Sequence, residues 1–149
     1  MPSLFKKLLL CAAPVTIAFA ANTQISTEKP VINFRLPLFN AEGYRVWMIR
    51  GSEGRYESAD RIAVKELTLS VFSGRADEKV DTLVLSPSAV VNRPESTVTG
   101  TSTIRVINDQ LEASGIDWKY TQLGKRNFKV SIAKNVRVVF QAEFKDLLK

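Results

Sequence analysis

The chain has 149 residues, a formal net charge of +6, 45% hydrophobic residues, one cysteine and no histidine. These values are typical of one globular domain and disfavour a multidomain enzyme or a wholly disordered chain. Without histidine the chain alone cannot build a Ser-His-Asp triad or a histidine metal site, and one cysteine cannot build a zinc cage or an internal disulfide. We therefore expect no enzyme activity, no metal and no cofactor.

The first twenty residues differ in kind from the remainder. Lys6 and Lys7 precede an apolar segment, and that segment ends in the small-x-small pattern Ala18-Phe19-Ala20. A basic start, an apolar middle and small residues at the end are the three parts of a secretory signal peptide. The pattern predicts a signal peptide over residues 1–20 and a mature chain that begins at Ala21.

Two alternatives to cleavage stay open. The apolar segment could remain as a membrane anchor, although it is shorter than the ~20 residues of a spanning helix and contains Pro14. Cys11 could carry a lipid, although leucines precede it where lipoprotein processing prefers a small residue. Cleavage would remove two lysines and lower the net charge from +6 to +4. Because the remaining basic residues are scattered among acidic ones, we expect no nucleic-acid partner.

The rest of the chain alternates apolar and polar residues with a period of two, as half-buried strands do. The alternation is clearest at residues 32–38, 67–71, 104–106, 130–132 and 136–140. No segment of a dozen residues keeps a helical period, and only the tail could form a short helical turn. The sequence therefore predicts an all-β domain over residues 31–142, preceded by a linker at 21–30 and followed by a tail at 143–149.

An internal repeat organises these strands. Three segments share one spacing: Trp47-x-Ile49-x-Gly51-x-x-Gly54-x-Tyr56, Thr82-x-Val84-x-Ser86-x-x-Ala89-x-Val91 and Leu111-x-Ala113-x-Gly115-x-x-Trp118-x-Tyr120. A second alternating strand follows each copy, and such a two-strand unit needs its neighbours to close a core. The small central residue of each copy allows the strand to bend, so that the following residues return to the interior. We expect two facing antiparallel sheets with free edges at the first and last strands.

The apolar residues that this register turns inward have two interpretations, a packed core or a groove for a lipid. Alternation alone favours the core, because alternating apolar residues usually fill one. The residues predicted to line the apolar interior are Trp47, Ile49, Tyr56, Leu69, Val84, Val91, Ile104, Val106, Tyr120, Ile132 and Val138.

The order of these motifs resembles the OstA-type β-jellyroll family. The resemblance is carried by Gly43–Ile49, Gly54–Tyr56, Leu67–Leu69, Ser86–Val91, Thr99-Gly100, Ile104–Val106, Gly115–Tyr120 and Asn135–Val138. Within the family, the Trp47-x-Ile49 opening behind a glycine turn is most similar to LptC-like proteins of lipopolysaccharide export. The resemblance covers about Val31 to Phe140 and depends on repetition and order, since no single residue is diagnostic.

The resemblance implies transport of lipopolysaccharide without chemistry. LptC-like domains are periplasmic and associated with the inner membrane, where they accept lipopolysaccharide from an ABC transporter. They shield its acyl chains in an apolar groove and pass it to a downstream jellyroll bridge protein that joins edge to edge. In this chain the joint would use the last strand, at Val136, Arg137, Val138, Val139 and Phe140.

Two other functions stay open beside this one. LptC-like proteins usually keep an N-terminal membrane helix, whereas this leader is short, so a soluble LptA-like bridge protein is one alternative. A structural or protein-binding envelope module with a packed core is the other. An enzyme would need a carboxylate pair, but the candidates Asp77 with Glu78 and Asp109 with Glu112 lie in turn-like polar stretches, where solvated acids are common.

Overall fold

The computed structural model describes residues 29–124 and 127–141, and strands are the regular elements of this part of the chain. The strands are β1 (Val31–Phe39), β2 (Arg45–Tyr56), β3 (Arg61–Phe72), β4 (Val80–Asn92), β5 (Thr97–Asn108), β6 (Leu111–Gln122) and β7 (Phe128–Phe140). The predicted signal peptide and C-terminal tail lie outside the described residues. The described part of the chain contains no helix with the length and hydropathy of a membrane-spanning segment.

The all-β prediction is confirmed, but the strands form one antiparallel sheet in the sequential order β1 to β7 rather than two separate sheets. Short connections join each strand to the next, and strands joined in this way commonly pair with each other. The three repeat copies lie on β2, β4 and β6, and β3, β5 and β7 are the strands that follow them. Each repeat unit is therefore a hairpin within one continuous sheet.

Most of the strands change their buried face near the middle. In β3, Ile62 and Val64 are buried before Glu66, whereas Leu67 and Leu69 are buried after it. The buried residues have even numbers before Glu66 and odd numbers after it. The alternation changes because Glu66 has a φ of 51°, and a residue in this left-handed region interrupts the alternation of an extended strand. Three other strand residues with positive φ are Asn33, Asp117 and Asn135.

These interruptions make a crease that crosses the sheet. The pairing register shifts between Leu85 and Val90 of β4, and again between Ser114 and Ile116 of β6. Trp47 near the start of β2 lines the same opening as Ala59 beyond its other end, although a straight strand would separate them by about 40 Å. The sheet therefore folds along the crease, and its two halves cover a shared core.

The core is closely packed. Ile49, Ile62, Leu69 and Val84 have no exposed surface, and they belong to one cluster of buried residues drawn from β1 to β6. The ring of Phe128 from β7 stacks on Tyr120 at a centroid distance of 5.5 Å. Since burial of one large aliphatic side chain contributes about 1.5–3 kcal/mol, this cluster is the main source of stability.

The small residues at the repeat centres lie at the crease. A Cβ added to Gly51 would lie 2.3 Å from Cγ1 of Val64, and one added to Gly115 would lie 2.3 Å from Cγ2 of Ile132. Ser86, at the same position of the second copy, is buried and donates a hydrogen bond of 2.8 Å to the carbonyl of Thr103. At Gly51 and Gly115 the neighbouring strand therefore occupies the space that a side chain would fill. At Ser86 the side chain is short, and its hydroxyl is hydrogen-bonded.

Candidate functional site

Most of the residues predicted to line the interior lie in the packed core. Ile132 packs against this core and is partly buried. The buried ones are Trp47, Ile49, Leu69, Val84, Val91, Ile104, Val106 and Tyr120. They contact one another within a single cluster, so the closed centre of the fold holds side chains where a bound lipid would lie.

Two of the predicted interior residues are exposed, which corrects the prediction. Tyr56 is 37% exposed and Val138 is 43% exposed. Tyr56 shares a face with its partner Ile62, but β1 begins opposite Gly54, so no strand flanks Tyr56 on that side. Val138 pairs with Ala113 on β6 but belongs to the last strand of the sheet. Alternation predicts on which face of the sheet each residue lies. At both positions, however, a neighbouring strand is missing on one side, so the side chain stays exposed.

The interior opens on the side of β1. An opening of about 530 Å³ lies between Leu36, Leu38 and Trp47 on one half of the sheet and turn residues of the other half, including Arg93 and Ser96. Leu36 pairs with Ile49 and Leu38 pairs with Trp47, so both leucines face the interior. Leu38 remains 36% exposed. The opening therefore has an apolar wall of core-facing side chains and a polar rim.

Trp47, which lines this opening, has an unsatisfied polar atom. Its indole Nε1 is buried and has no hydrogen-bond partner in the described part of the chain. A buried donor without an acceptor costs about 1–3 kcal/mol. Since this donor has no accessible surface, the opening presents mainly the apolar side chains of Leu36, Leu38 and Trp47 to a ligand.

Apolar side chains are also exposed along both edges of the sheet. Among the described residues, most of the exposed large hydrophobic side chains belong to β1 or β7 rather than to the strands between them. These edge residues are Val31, Ile32, Leu38, Phe39, Val136, Val138, Val139 and Phe140. An exposed apolar edge strand is a template for pairing with another strand.

The hydrogen-bonding pattern of β7 determines which of its backbone N–H and C=O groups are free to pair with another strand. The N–H of Gln141 donates to the carbonyl of Gln110 at 2.8 Å. Hydrogen-bonded and non-hydrogen-bonded pairs alternate in an antiparallel ladder, so Val139 also turns its backbone groups toward β6. Val138 and Phe140 turn theirs to the free edge. Of the residues predicted for a joint, Arg137 and Val139 therefore have backbone groups that are occupied within the sheet, which corrects their assignment to the free edge.

The edge formed by β1 is interrupted where that of β7 is not. Pro37 lies within β1, opposite Met48 of β2. Proline has no N–H, and within a sheet it is tolerated at an edge where its nitrogen faces away from the neighbouring strand. Pro37 therefore removes a donor from the free side of β1, which makes this edge the poorer template for strand addition.

The carboxylates considered for catalysis are held by local partners. Glu78 accepts a hydrogen bond of 3.0 Å from Nε of Arg45, and this contact lowers the pKa of Glu78. Asp77 accepts a hydrogen bond of 2.5 Å from Ser73, which lowers its pKa. Asp109 and Glu112 form ion pairs with Lys79 and Arg105. A catalytic acid requires a raised pKa, so the shifts at Asp77 and Glu78 run against that role.

Sequence reasoning missed Leu36 and Leu38 as residues of the opening. Both lie in the first predicted strand. They lie opposite the turn residues of the opening only because the sheet folds along the crease, and the sequence does not show this. No protein-family model matches this chain, and no curated protein matches its sequence.

Proposed function

We propose that the chain is an LptC-like β-jellyroll that transports lipopolysaccharide in the periplasm, in association with the inner membrane. It accepts lipopolysaccharide from an inner-membrane ABC transporter and passes it to a downstream jellyroll bridge protein. The observation that carries the proposal is the interior opening, where Leu36, Leu38 and Trp47 present apolar side chains between two halves of a folded sheet.

The opening suits an acyl chain whose polar end lies at the rim. Each buried methylene contributes about 0.8 kcal/mol, so Leu36 and Leu38 can hold a chain by contact alone. Arg93 at the rim would meet a phosphate, whose oxygens accept charge-assisted hydrogen bonds from a guanidinium. The acyl chains would thus enter at the opening, and the sugars would stay in water.

Transfer to the next protein would use the free edge of β7. Strand addition joins two sheets through main-chain hydrogen bonds, and Val138 and Phe140 carry the free groups on this edge. Their exposed side chains would be covered in the joint. An LptA-like soluble bridge protein would use the same edge and opening, and would differ in lacking contact with the transporter.

A packed core supports a second candidate, a structural or protein-binding envelope module. Ile49, Leu69 and Val84 are completely buried by other side chains, and a fold of this kind needs no ligand to be stable. Such a module would still join partners through β7. Bound lipid is the property that separates the two candidates.

Mass spectrometry of the protein purified from its native envelope tests the proposal. We expect co-purified lipopolysaccharide with the wild-type chain, and at least about tenfold less with Leu38→Asp, which places a charge in the opening. Arg35→Asp is the matched control, because Arg35 lies on the same strand and pairs with Arg50 on the outer face. Absence of lipopolysaccharide from the wild type, or equal loss in the control, would contradict lipid carriage.

A further inference from the structure

A second and larger groove lies on the outer face of the folded sheet. It has a volume of about 960 Å³ and is lined by residues of every strand from β2 to β7. One wall is a continuous row of directly paired residues: Arg55, Ala63, Val90, Thr99, Lys119 and Ser131. We call this groove the transverse trough, because it runs across the strands.

The pairing places the transverse trough on the side opposite the core. Ile62, Val91, Val98 and Tyr120 form the next row of direct partners, and all four are buried. Residues adjacent along a strand face opposite sides of a sheet, so the row that contains Thr99 faces outward. The trough is therefore independent of the interior opening and of the function proposed for it.

The dimensions of the transverse trough suit an elongated ligand. Six strands give five spacings of about 4.8 Å, a length of about 24 Å. The middle of the trough is open because its side chains are short: Ala63 and Val90 stand on one wall, and Ser88 and Thr101 stand on the other. Longer charged side chains, such as Arg55 and Lys119, stand toward the two ends of the same wall.

The transverse trough carries an excess of positive charge. Four cationic and two anionic side chains line it. Both carboxylates form ion pairs: Oε2 of Glu53 lies 3.1 Å from Nζ of Lys65, and Oδ2 of Asp117 lies 2.6 Å from Nζ of Lys134. Lys119 is exposed and pairs with no acidic side chain in the part of the chain that the structure describes. An anion in the trough would meet Lys119 without displacing an existing ion pair.

The polar groups of the transverse trough distinguish between classes of ligand. Thr99, Thr101, Ser88 and Ser131 offer hydroxyls, which can both donate and accept hydrogen bonds. A peptide strand lying across the sheet would find few free backbone partners, because the strands beneath it are already paired on both sides. An acyl chain would contact apolar lining residues such as Ala63, Val90 and Ala133, but it would leave the hydroxyls and Lys119 without hydrogen-bond partners. The hydroxyls of a sugar chain can hydrogen-bond to the serine and threonine hydroxyls of the trough, and its C–H groups can contact Ala63 and Val90.

We propose that the transverse trough binds a free, soluble saccharide chain that carries negative charge. Lys119 meets an acidic group of the chain, and the hydroxyls of Thr99 and Ser131 on either side of it bind the neighbouring sugar. Because one face of the sheet serves the lipid and the other serves the saccharide, loss of either function leaves the other intact.

Calorimetric titration with three soluble probes tests this proposal. The probes are an oligogalacturonate, a neutral malto-oligosaccharide of the same length and an oligo-aspartate of the same length. We expect the oligogalacturonate to bind at least about tenfold more tightly than either of the others, since only it offers both hydroxyls and charge. Its affinity should fall as ionic strength rises, because the contact with Lys119 is solvent-exposed.

Two variants locate the site, and neither replaces a core residue. Lys119→Glu should weaken binding of the oligogalacturonate at least about tenfold, and Thr99→Trp should abolish it by filling the middle of the trough. Lys129→Glu is the matched control, because Lys129 is an exposed lysine of β7 outside the trough; it should change the affinity by less than about twofold. Absence of oligogalacturonate binding, equal binding of oligo-aspartate, or equal effects of the Lys119 and Lys129 variants would overturn the proposal. Binding of saccharide only when it is attached to a lipid would also overturn it.

Discussion

Single small residues determine where the sheet of this protein can fold. At Gly51 and Gly115 the neighbouring strand is so close that a methyl group would overlap both a side chain and a backbone carbonyl. A carbonyl held in a ladder cannot move aside as a flexible side chain can, so the contact is closed to larger residues. The crease therefore depends on a few positions rather than on the composition of the strands.

Replacement of Gly115 by alanine tests this dependence. The new Cβ would lie 2.3 Å from Cγ2 of Ile132 and 2.7 Å from the carbonyl oxygen of Lys134, so we expect a loss of about 1–3 kcal/mol in the free energy of unfolding. Gly124→Ala is the control, because nothing lies within 4 Å of its Cβ position; it should change stability by less than about 0.5 kcal/mol. Urea denaturation measures both, and equal values for the two variants would refute the steric account.

The ion pair between Arg45 and Glu78 predicts a pH dependence of stability. The hydrogen bond from Arg45 lowers the pKa of Glu78 below its ordinary value of 4.5. A carboxylate whose pKa is lower in the folded state stabilises that state above its unfolded pKa and loses this effect as pH falls through the folded value. Glu78→Gln should therefore lower the Tm at neutral pH, and the difference from wild type should shrink below pH 4.5. A difference in Tm that is constant with pH would show that the charge is irrelevant.

At the scale of elements, the two edge strands have different capacities for pairing. The strand β7 offers unpaired backbone groups and exposed apolar side chains, including Val138 and Phe140. The strand β1 is exposed as well, but Pro37 interrupts its row of donors. A strand from another protein would therefore pair more readily with β7 than with β1.

Proline substitutions at two neighbouring positions of β7 separate its free side from its paired side. Val138→Pro removes a donor that faces solvent, so the domain should stay folded but lose cross-linking to the bridge protein proposed above. Val139→Pro removes a donor that faces β6, so it should lower the Tm of the isolated domain. Thermal unfolding and cross-linking are measured on both variants. Normal partner capture by a folded Val138→Pro domain would place the joint at another edge.

At the scale of the whole molecule, sequence alone predicted the strands and the repeat, but not how the sheet closes. Period-two alternation identifies which residues share a face, and spacing identified Gly51 and Gly115 as equivalent positions. Whether a residue is buried also depends on which strand lies beside it, and alternation does not show this. Tyr56 was therefore expected in the interior but is exposed.

The transverse trough could not be predicted for a related reason. Its wall joins residues such as Val90, Thr99 and Lys119, which are distant in sequence and adjacent only through the pairing register. Small polar residues on an outer face carry no pattern that distinguishes a binding surface from solvated strand. The shifts of register at the crease then decide which of them become neighbours.

Site-specific photo-cross-linking in living cells tests most directly whether the folded sheet carries lipopolysaccharide through its opening. A photoreactive amino acid at Leu38 would face the interior beside Trp47, whereas the same amino acid at Arg35 would face outward beside Arg50. We expect adducts with lipopolysaccharide at position 38 and none at position 35. Adducts at neither position, or equal adducts at both, would contradict it.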